Sequence, residues 1–252
     1  MNGESGPGAA GALSVRPTRI WEIDFLRGLS IILMVGYHAL FDLGEFAGVR
    51  TLLGIPIDLA STGWMAAQYF FASLFIVLSG ISSTLTHSNV RRAMKILAVA
   101  VLVTAVTYVF DSSSAIYFGI LHCLAVSILV YGLTLEKAGP LASAAAAFAV
   151  FGLSAARTVL MRDIPVRFDW LLPFDIHSRG FSSYDFFPLL PWLGIFFLGA
   201  ALGKSIYAPK RSLIPFPLRP TFVNGAGRHS LLIYIVHQPI LLGVLYVLGL
   251  WR

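Results

Sequence analysis

An ionisable stripe runs through the first apolar segment, which reads DFLRGLSIILMVGYHALFDL over residues 24–43. Arg27 and His38 are eleven residues apart, so on an α-helix they return to within about 20° of the same face, roughly 16 Å apart along the axis. Asp24 precedes Arg27 by three residues, and Asp42 follows His38 by four, which adds both carboxylates to that face. Arginine suits phosphate binding and histidine suits proton transfer at neutral pH. The stripe therefore predicts an anion site at one end and a general base at the other.

Ionisable groups inside a membrane span are costly, so they usually face a bundle interior or a water-filled cavity. His38 is expected to remove a proton from an attacking amine or hydroxyl, with Asp42 orienting its ring. Simpler explanations exist for both ends of the stripe. Asp24 and Arg27 also fit a local ion pair at the membrane surface, and His38 also fits a hydrogen bond to a neighbouring helix.

Two further histidines interrupt apolar segments: His122 in YFGILHCLAVS and His237 in GRHSLLIYIVHQPILL. Their distances from the segment ends are compatible with the depth of His38, so all three are expected to share one polar cavity. Three histidines at one depth suggest a metal site. However, no Asp or Glu lies near His122 or His237, and no H-E-x-x-H pair occurs, so we expect no metal.

Two other stretches carry groups capable of chemistry. Ser79 begins SGISST at the end of the second apolar segment, where small residues serve either close helix packing or a narrow entrance for a ligand. SSYDFFPLLPWLG enters the sixth segment from the opposite side. There Asp185 is expected to cap the sixth helix or face the cavity, and Trp192 is expected in the interfacial belt.

The elements that hold these residues are membrane helices. Of the 252 residues, 57% are hydrophobic and 12% are charged, which is too apolar for an ordinary soluble domain. The pattern predicts an all-α integral membrane protein, with residues 1–18 as a disordered tail and residues 19–252 as one transmembrane domain. A single bundle of about seven spans is expected, at residues 25–44, 64–85, 93–110, 115–135, 139–160, 186–206 and 229–250.

The cations cluster in alternate connections, which predicts a cytoplasmic N-terminus and an extracytoplasmic C-terminus. The net charge of +6 therefore reflects membrane topology, and nucleic acid is not an expected partner. The cationic connections contain Arg16, Arg19 and Arg27, then Arg91, Arg92 and Lys95, then Lys204, Lys210, Arg211, Arg219 and Arg228.

Five motifs occur in the order of a known family: EIDFLRGLSIILMVGYHALFDL, FFASLFIVLSGISS, FGILHCLAVS, YDFFPLLPWLGIFFLG and GRHSLLIYIVHQPIL. With them the sequence resembles the bacterial heparan-α-glucosaminide N-acetyltransferase-like family, from about Arg19 onwards. The spacing of Arg27 and His38 also resembles the wider superfamily of membrane-bound acyltransferases. The lysosomal relative has an Asn in the place of His38 and its catalytic histidine near STGWMAAQYFF, where this sequence has none. Heparan is therefore not assumed as the substrate.

The resemblance implies transfer of acetyl from cytoplasmic acetyl-CoA to an amino sugar or other glycan outside the bacterial cytoplasmic (inner) membrane. The roughly 16 Å rise from Arg27 to His38 is about the length of the pantetheine arm of the donor. His38 would act as general base or transient acyl acceptor. The resulting expected sites are Asp24, Arg27, Ser79, Arg91 and Arg92 for the donor, His38, Asp42 and His122 for catalysis, and Tyr184, Asp185, Trp192 and His237 for the acceptor.

Two other functions are compatible with a polar stripe through a helical bundle. One is a proton-coupled transporter or permease of a small polar solute, although no inverted repeat or pair of broken helices accompanies the stripe. The other is a non-catalytic membrane partner of a glycan-modifying complex. Membrane lipids are expected partners in every case, and the oligomeric state is left open, with a homodimer among the alternatives.

Overall fold

The structure is a computed structural model that describes residues 20–250 except residues 59, 87, 163 and 215–220. The predicted disordered tail, residues 1–18, lies outside the described residues. The same holds for Arg16, Arg19 and Arg219, which contributed to the predicted orientation.

The described chain is helical apart from one small hairpin and the loops, in agreement with the predicted fold class. The hairpin pairs two short antiparallel strands, and a short 3-10 helix, Leu172–Phe174, lies in the longest loop. In chain order the elements are α1 Trp21–Glu45, β1 Thr51–Leu52, β2 Ile55–Pro56, α2 Thr62–Leu85, α3 Asn89–Phe110, α4 Ile120–Thr134, α5 Pro140–Leu160, α6 Leu189–Ile206, α7 Thr221–Arg228 and α8 Ser230–Val247.

Six helices are long and apolar enough to cross a membrane, and they fit a multi-pass membrane protein. They are α1, α2, α3, α5, α6 and α8, with lengths of 18 to 25 residues. The fourth predicted span is shorter than expected, because α4 has 15 residues and begins at Ile120 instead of residue 115. The preceding residues are drawn into non-helical contacts, since the backbone N–H of Phe187 donates to the carbonyl of Phe118 over 3.0 Å.

The connection before the last span contains a helix that the hydrophobic pattern did not predict. The short helix α7 precedes α8, and the chain leaves helical geometry at His229 between them. A Cβ atom on Gly227 of α7 would lie 1.8 Å from the carbonyl oxygen of Asp24, and one on Gly28 of α1 would lie 1.8 Å from that of Val223. The backbones of α1 and α7 therefore touch, and only glycine permits this crossing.

The core lies where α2, α4 and α6 meet. Ile76 of α2, Ile128 of α4 and Phe196 of α6 are all completely buried there. The helices α3 and α5 stand at the perimeter, where large apolar side chains such as Val106 and Phe148 are exposed. This arrangement is expected when hydrocarbon, rather than water, surrounds the bundle.

Candidate functional site

Two cavities lie along α1, and two aromatic residues line both of them. Their volumes are about 370 Å³ and about 90 Å³. Phe75 of α2 and Tyr234 of α8 belong to both walls. We name the larger one the arginine cavity for its cationic lining, which consists of Arg27, Arg91, Arg92, Lys95 and Arg228. We name the smaller one the histidine cavity, and its polar lining consists of Ser30, Tyr37, His38, Gln68, Tyr184, Asp185 and Tyr234.

Serine side chains at the end of α2 hold two of the arginines. Arg92 donates from its two terminal nitrogens to the hydroxyls of Ser83 and Ser79, over 3.2 and 3.3 Å. Arg27 donates to the hydroxyl of Ser82. The Ser82 and Ser83 hydroxyls themselves donate to helix carbonyls one turn back, so their lone pairs are available to the guanidinium groups. The motif SGISST therefore positions these arginines through neutral hydroxyl groups, which do not themselves neutralise the charge.

The carboxylate of Asp24 joins helices α1 and α7 at this cavity. Asp24 lies 3.7 Å from a terminal nitrogen of Arg27 and 3.4 Å from the Nε of Arg228. Because Arg27 belongs to α1 and Arg228 to α7, this pairing depends on the close crossing of those helices. The local ion pair considered for Asp24 is thus present and includes a second arginine.

The arginine cavity carries a strong positive charge. Of its cations, Arg91 and Lys95 are exposed, whereas Arg27 and Arg92 are partly buried. Within the part of the chain that the structure describes, no carboxylate lines this cavity. Several guanidinium groups around a space of this size suit an anion with more than one phosphate, because arginine binds phosphate oxygens in a bidentate manner.

The rings of His38 and His237 lie next to each other, with centroids 5.0 Å apart. The Nδ1 atom of His237 is 2.6 Å from the carbonyl oxygen of Tyr234. A carbonyl only accepts hydrogen bonds, so Nδ1 carries the proton and Nε2 keeps a basic lone pair when the ring is neutral. This Nε2 is buried and has no hydrogen-bond partner among the described residues. Two of the three predicted histidines therefore meet, although they are about two hundred positions apart in the sequence.

Asp42 is almost fully buried one helical turn from His38, and its partner is an unexpected residue. Its Oδ1 accepts a hydrogen bond of 2.8 Å from the side-chain amide of Gln238. Its Oδ2 has no hydrogen-bond partner among the described residues. The structure therefore links Asp42 to the residue next to His237, while its proposed action on the ring of His38 stays a prediction.

His122 occupies a different position from the other two histidines. Its Nδ1 accepts from the backbone N–H of Gly119 and its Nε2 contacts the hydroxyl of Thr104, both at 3.3 Å. It thus closes the first turn of α4 and ties it to α3. Within the described residues it lines neither cavity. Both ring nitrogens are satisfied, which is the arrangement of a structural histidine.

Asp185 lines the histidine cavity, which was one of the two predicted alternatives, but the helix that it caps is not the predicted α6. The helix is α4, since its Oδ2 accepts from the backbone N–H of Ile120 over 2.9 Å. The same oxygen accepts from the hydroxyl of Tyr234 over 3.1 Å. A Cβ atom on Gly119 would lie 2.3 Å from this oxygen, so glycine is needed at that cap. Burial raises the pKa of the Asp185 carboxyl, and the two hydrogen bonds oppose that shift.

The other two predicted acceptor residues differ in location. Tyr184 lines the histidine cavity, and its hydroxyl donates to Asp111 over 2.8 Å. Trp192 instead packs in the core, with its ring centroid 4.8 Å from that of Phe187 and 6.0 Å from that of Tyr69. It is 8% exposed, so its ring packs inside the bundle, and its predicted depth at the membrane interface stays a prediction.

Sequence reasoning missed the residues that connect the parts of the site. Tyr234, Phe75 and Gln238 were not predicted. Tyr234 lies three positions before His237, a helical spacing that marks a shared face. Phe75 carried no comparable signal. Within the described residues, no group of three or more His, Cys, Asp and Glu is placed to hold a metal ion, and the predicted absence of a metal stays a prediction.

Comparison with known proteins gives one finding. No curated protein and no solved structure matches the chain. The family described as heparan-alpha-glucosaminide N-acetyltransferase, catalytic, matches residues 19–239. This range runs from the start of α1 through Tyr234, His237 and Gln238, and therefore contains both cavities. The resemblance seen in the sequence motifs is confirmed: the chain belongs to the family of heparan-alpha-glucosaminide N-acetyltransferase catalytic domains, which indicates a membrane acetyltransferase.

Proposed function

We propose that the protein transfers an acetyl group from cytoplasmic acetyl-CoA to an amino sugar or other glycan at the outer side of the bacterial cytoplasmic membrane. One observation carries this proposal. A cationic cavity and a cavity lined by His38 share a wall formed by Phe75 and Tyr234. A donor with an anionic head and a reactive far end requires such a pair of adjoining spaces.

The arginine cavity binds the donor head in this proposal. Coenzyme A carries phosphate groups, and Arg27, Arg92 and Arg228 offer guanidinium groups from three helices. Arg91 and Lys95 extend the positive charge to the opening, where they attract the anion from the cytoplasm. The abundance of cations around the arginine cavity supports a cytoplasmic location for this end of the bundle.

The histidine cavity is the site of the reaction. The pantetheine arm extends past Phe75 and Tyr234 and presents the thioester carbon near His38. His38 takes the proton of the acceptor amine or hydroxyl as its nitrogen or oxygen bonds to that carbon and the C–S bond breaks. In a two-step variant, His38 first carries the acetyl group itself. His237, 5.0 Å away by ring centroid, offers a second basic nitrogen.

The acceptor enters from the opposite end of the bundle. Tyr37, Gln68, Tyr184 and Asp185 provide hydrogen-bonding groups on this side. A volume of about 90 Å³ fits only the reacting end of a sugar, so the remainder of a glycan would stay outside the cavity. A hydroxyl or amine acceptor is compatible with these groups.

The test is acetyl transfer by the purified full chain in lipid nanodiscs. Acetyl-CoA labelled in the acetyl group would be supplied with D-glucosamine or a panel of amino sugars and glycans, and labelled product measured. We expect acceptor-dependent product from the native protein and a loss of about 10²-fold or more in His38→Ala. Full turnover in His38→Ala would contradict the role of His38. Absence of both transfer and acetyl-CoA binding in the native protein would contradict the function.

A further inference from the structure

Acetyl transfer requires two proton transfers, one from the acceptor and one to the leaving thiolate. The acceptor loses a proton as it attacks, and the donor leaves as a thiolate that must gain one. In the proposed function the acceptor lies in the histidine cavity, while the body of the donor lies in the arginine cavity. A proton therefore has to reach the boundary between the two spaces, where the sulfur atom leaves.

Only two residues line both cavities within the described part of the chain, Phe75 and Tyr234. Phe75 carries no exchangeable proton. Tyr234 carries a hydroxyl, which is anchored at 3.1 Å from Asp185. Asp185 is itself fixed by the first turn of α4 through the N–H of Ile120. The position of the hydroxyl is thus set by a partly buried hydrogen-bond network.

His38 and Tyr234 face the same small space. Both line the histidine cavity, whose volume of about 90 Å³ leaves room for only a few atoms between them. His237 packs beside both, with ring centroids 5.0 Å from His38 and 5.5 Å from Tyr234. Proton return from His38 to Tyr234 would therefore run across this cavity.

We propose that Tyr234 is the acid that protonates the departing thiolate, with Asp185 as the residue that positions its hydroxyl. This inference rests on the proposed acetyl transfer. The acceptor proton passes to His38 as the new C–N or C–O bond forms and the C–S bond breaks. The O–H group of Tyr234, which donates to Asp185 in the free protein, turns toward the sulfur, and its proton passes to the sulfur to give the CoA thiol. The proton on His38 then passes to the Tyr234 oxygen and restores both groups, so the sequence balances without another reactant.

The principal variant is Tyr234→Phe, which keeps the ring in the wall between the cavities and removes only the hydroxyl. Acetyl-CoA and D-glucosamine serve as substrates, and release of the CoA thiol is measured with the full chain in nanodiscs. We expect kcat to fall about 10²-fold, while KM for acetyl-CoA stays the same, because the hydroxyl acts only as the bond breaks. Tyr246→Phe is the matched control, since Tyr246 lies on the same helix α8, is 75% exposed and lines neither cavity. We expect it to behave like the native protein.

A second variant covers the case in which Tyr234→Phe does not fold. Replacement of Tyr234 by 3-fluorotyrosine keeps the hydroxyl and nearly the same shape but makes the hydroxyl more acidic. We expect the alkaline limb of the kcat profile to move to lower pH, which a purely structural tyrosine would not cause.

Each outcome has a defined meaning. A normal kcat in Tyr234→Phe, a change confined to KM, or an unmoved pH profile with 3-fluorotyrosine would overturn the role of Tyr234. If the native protein neither transfers acetyl from acetyl-CoA nor binds it, the proposed function itself fails. The two failures are therefore distinguishable.

Discussion

The arginine cavity and the histidine cavity differ in size, in charge and in the way their polar groups are satisfied. The first is about four times larger and is lined by cations that pair with serine hydroxyls and with Asp24. The second is lined mainly by neutral groups and by Asp185. Beside it, His237 and Asp42 each keep a buried acceptor atom that has no hydrogen-bond partner among the described residues. In the proposed function, this difference separates donor binding from chemistry along α1.

The cost of burying charge explains this division. Cations near the end of a bundle retain access to water and headgroups, whereas cations at its centre lose that solvation. Proton transfer needs a group that is neutral for part of its cycle, and histidine meets that condition. Arg27 and His38 occupy one face of α1, so one helix serves both environments. The following predictions test whether the two cavities behave as separate units.

The largest effect is expected from His38→Ala. Turnover should fall about 10³-fold, because a positioned base is lost, while the affinity for acetyl-CoA should not change. Isothermal titration calorimetry gives the affinity, and the labelled-acetyl assay gives kcat. His122→Gln is the matched control, because His122 lies outside both cavities and should affect stability more than turnover. Equal losses of binding and turnover in His38→Ala would contradict the separation.

Arg92→Ala is expected to weaken acetyl-CoA binding and to leave turnover nearly unchanged, the reverse of His38→Ala. Loss of a guanidinium group held by Ser79 and Ser83 should weaken acetyl-CoA binding about 10- to 100-fold, as hydrogen bonds to a charged group are lost. The remaining turnover at saturating donor should be close to normal. The affinity of the native protein should also fall with added salt. Arg167→Ala, in the exposed loop between α5 and α6, provides a control arginine and should bind normally.

A smaller effect is expected from Gly227→Ala, which tests how the arginine cavity is assembled. The new Cβ would meet the carbonyl oxygen of Asp24 at 1.8 Å, so α1 and α7 must separate. We expect a loss of about 1–3 kcal/mol in the free energy of unfolding, seen as a lower Tm, together with weaker donor binding. Gly225→Ala on the same helix meets nothing within 4 Å and should be harmless. Equal behaviour of the two variants would refute the proposed crossing.

The smallest effect is expected from Asp111→Asn, which removes a carboxylate that accepts from Tyr184 at the edge of the histidine cavity. Hydrogen bonds from Ser113 and from the hydroxyl of Tyr184 hold the pKa of Asp111 at about 2, below its ordinary 3.8. A lowered pKa stabilises the fold above the ordinary value and loses that contribution as the pH falls toward about 2. Asp111→Asn should therefore lower Tm slightly at neutral pH, and the difference should shrink below about pH 4. A difference independent of pH would contradict this link, and donor binding should not change.

Part of this site followed from the sequence because helical periodicity is local. With 3.6 residues per turn, Arg27 and His38 share a face whatever surrounds them. Six of the seven spans predicted from the long apolar runs correspond to membrane-length helices, and the motifs identified the family. Hydropathy did not predict the short length of α4, because it does not show where a loop residue such as Asp185 caps a helix. It also did not predict the short helix α7.

Contacts between helices were decided only by the tertiary structure. The sequence determined that His38, His122 and His237 were buried candidates, but packing placed His237 beside His38 and assigned His122 to a helix cap. It also brought Tyr234 into the wall shared by both cavities. The physical reason is that periodicity fixes which residues share a face, whereas the partner of that face depends on close backbone approaches such as that of Gly28 and Gly227.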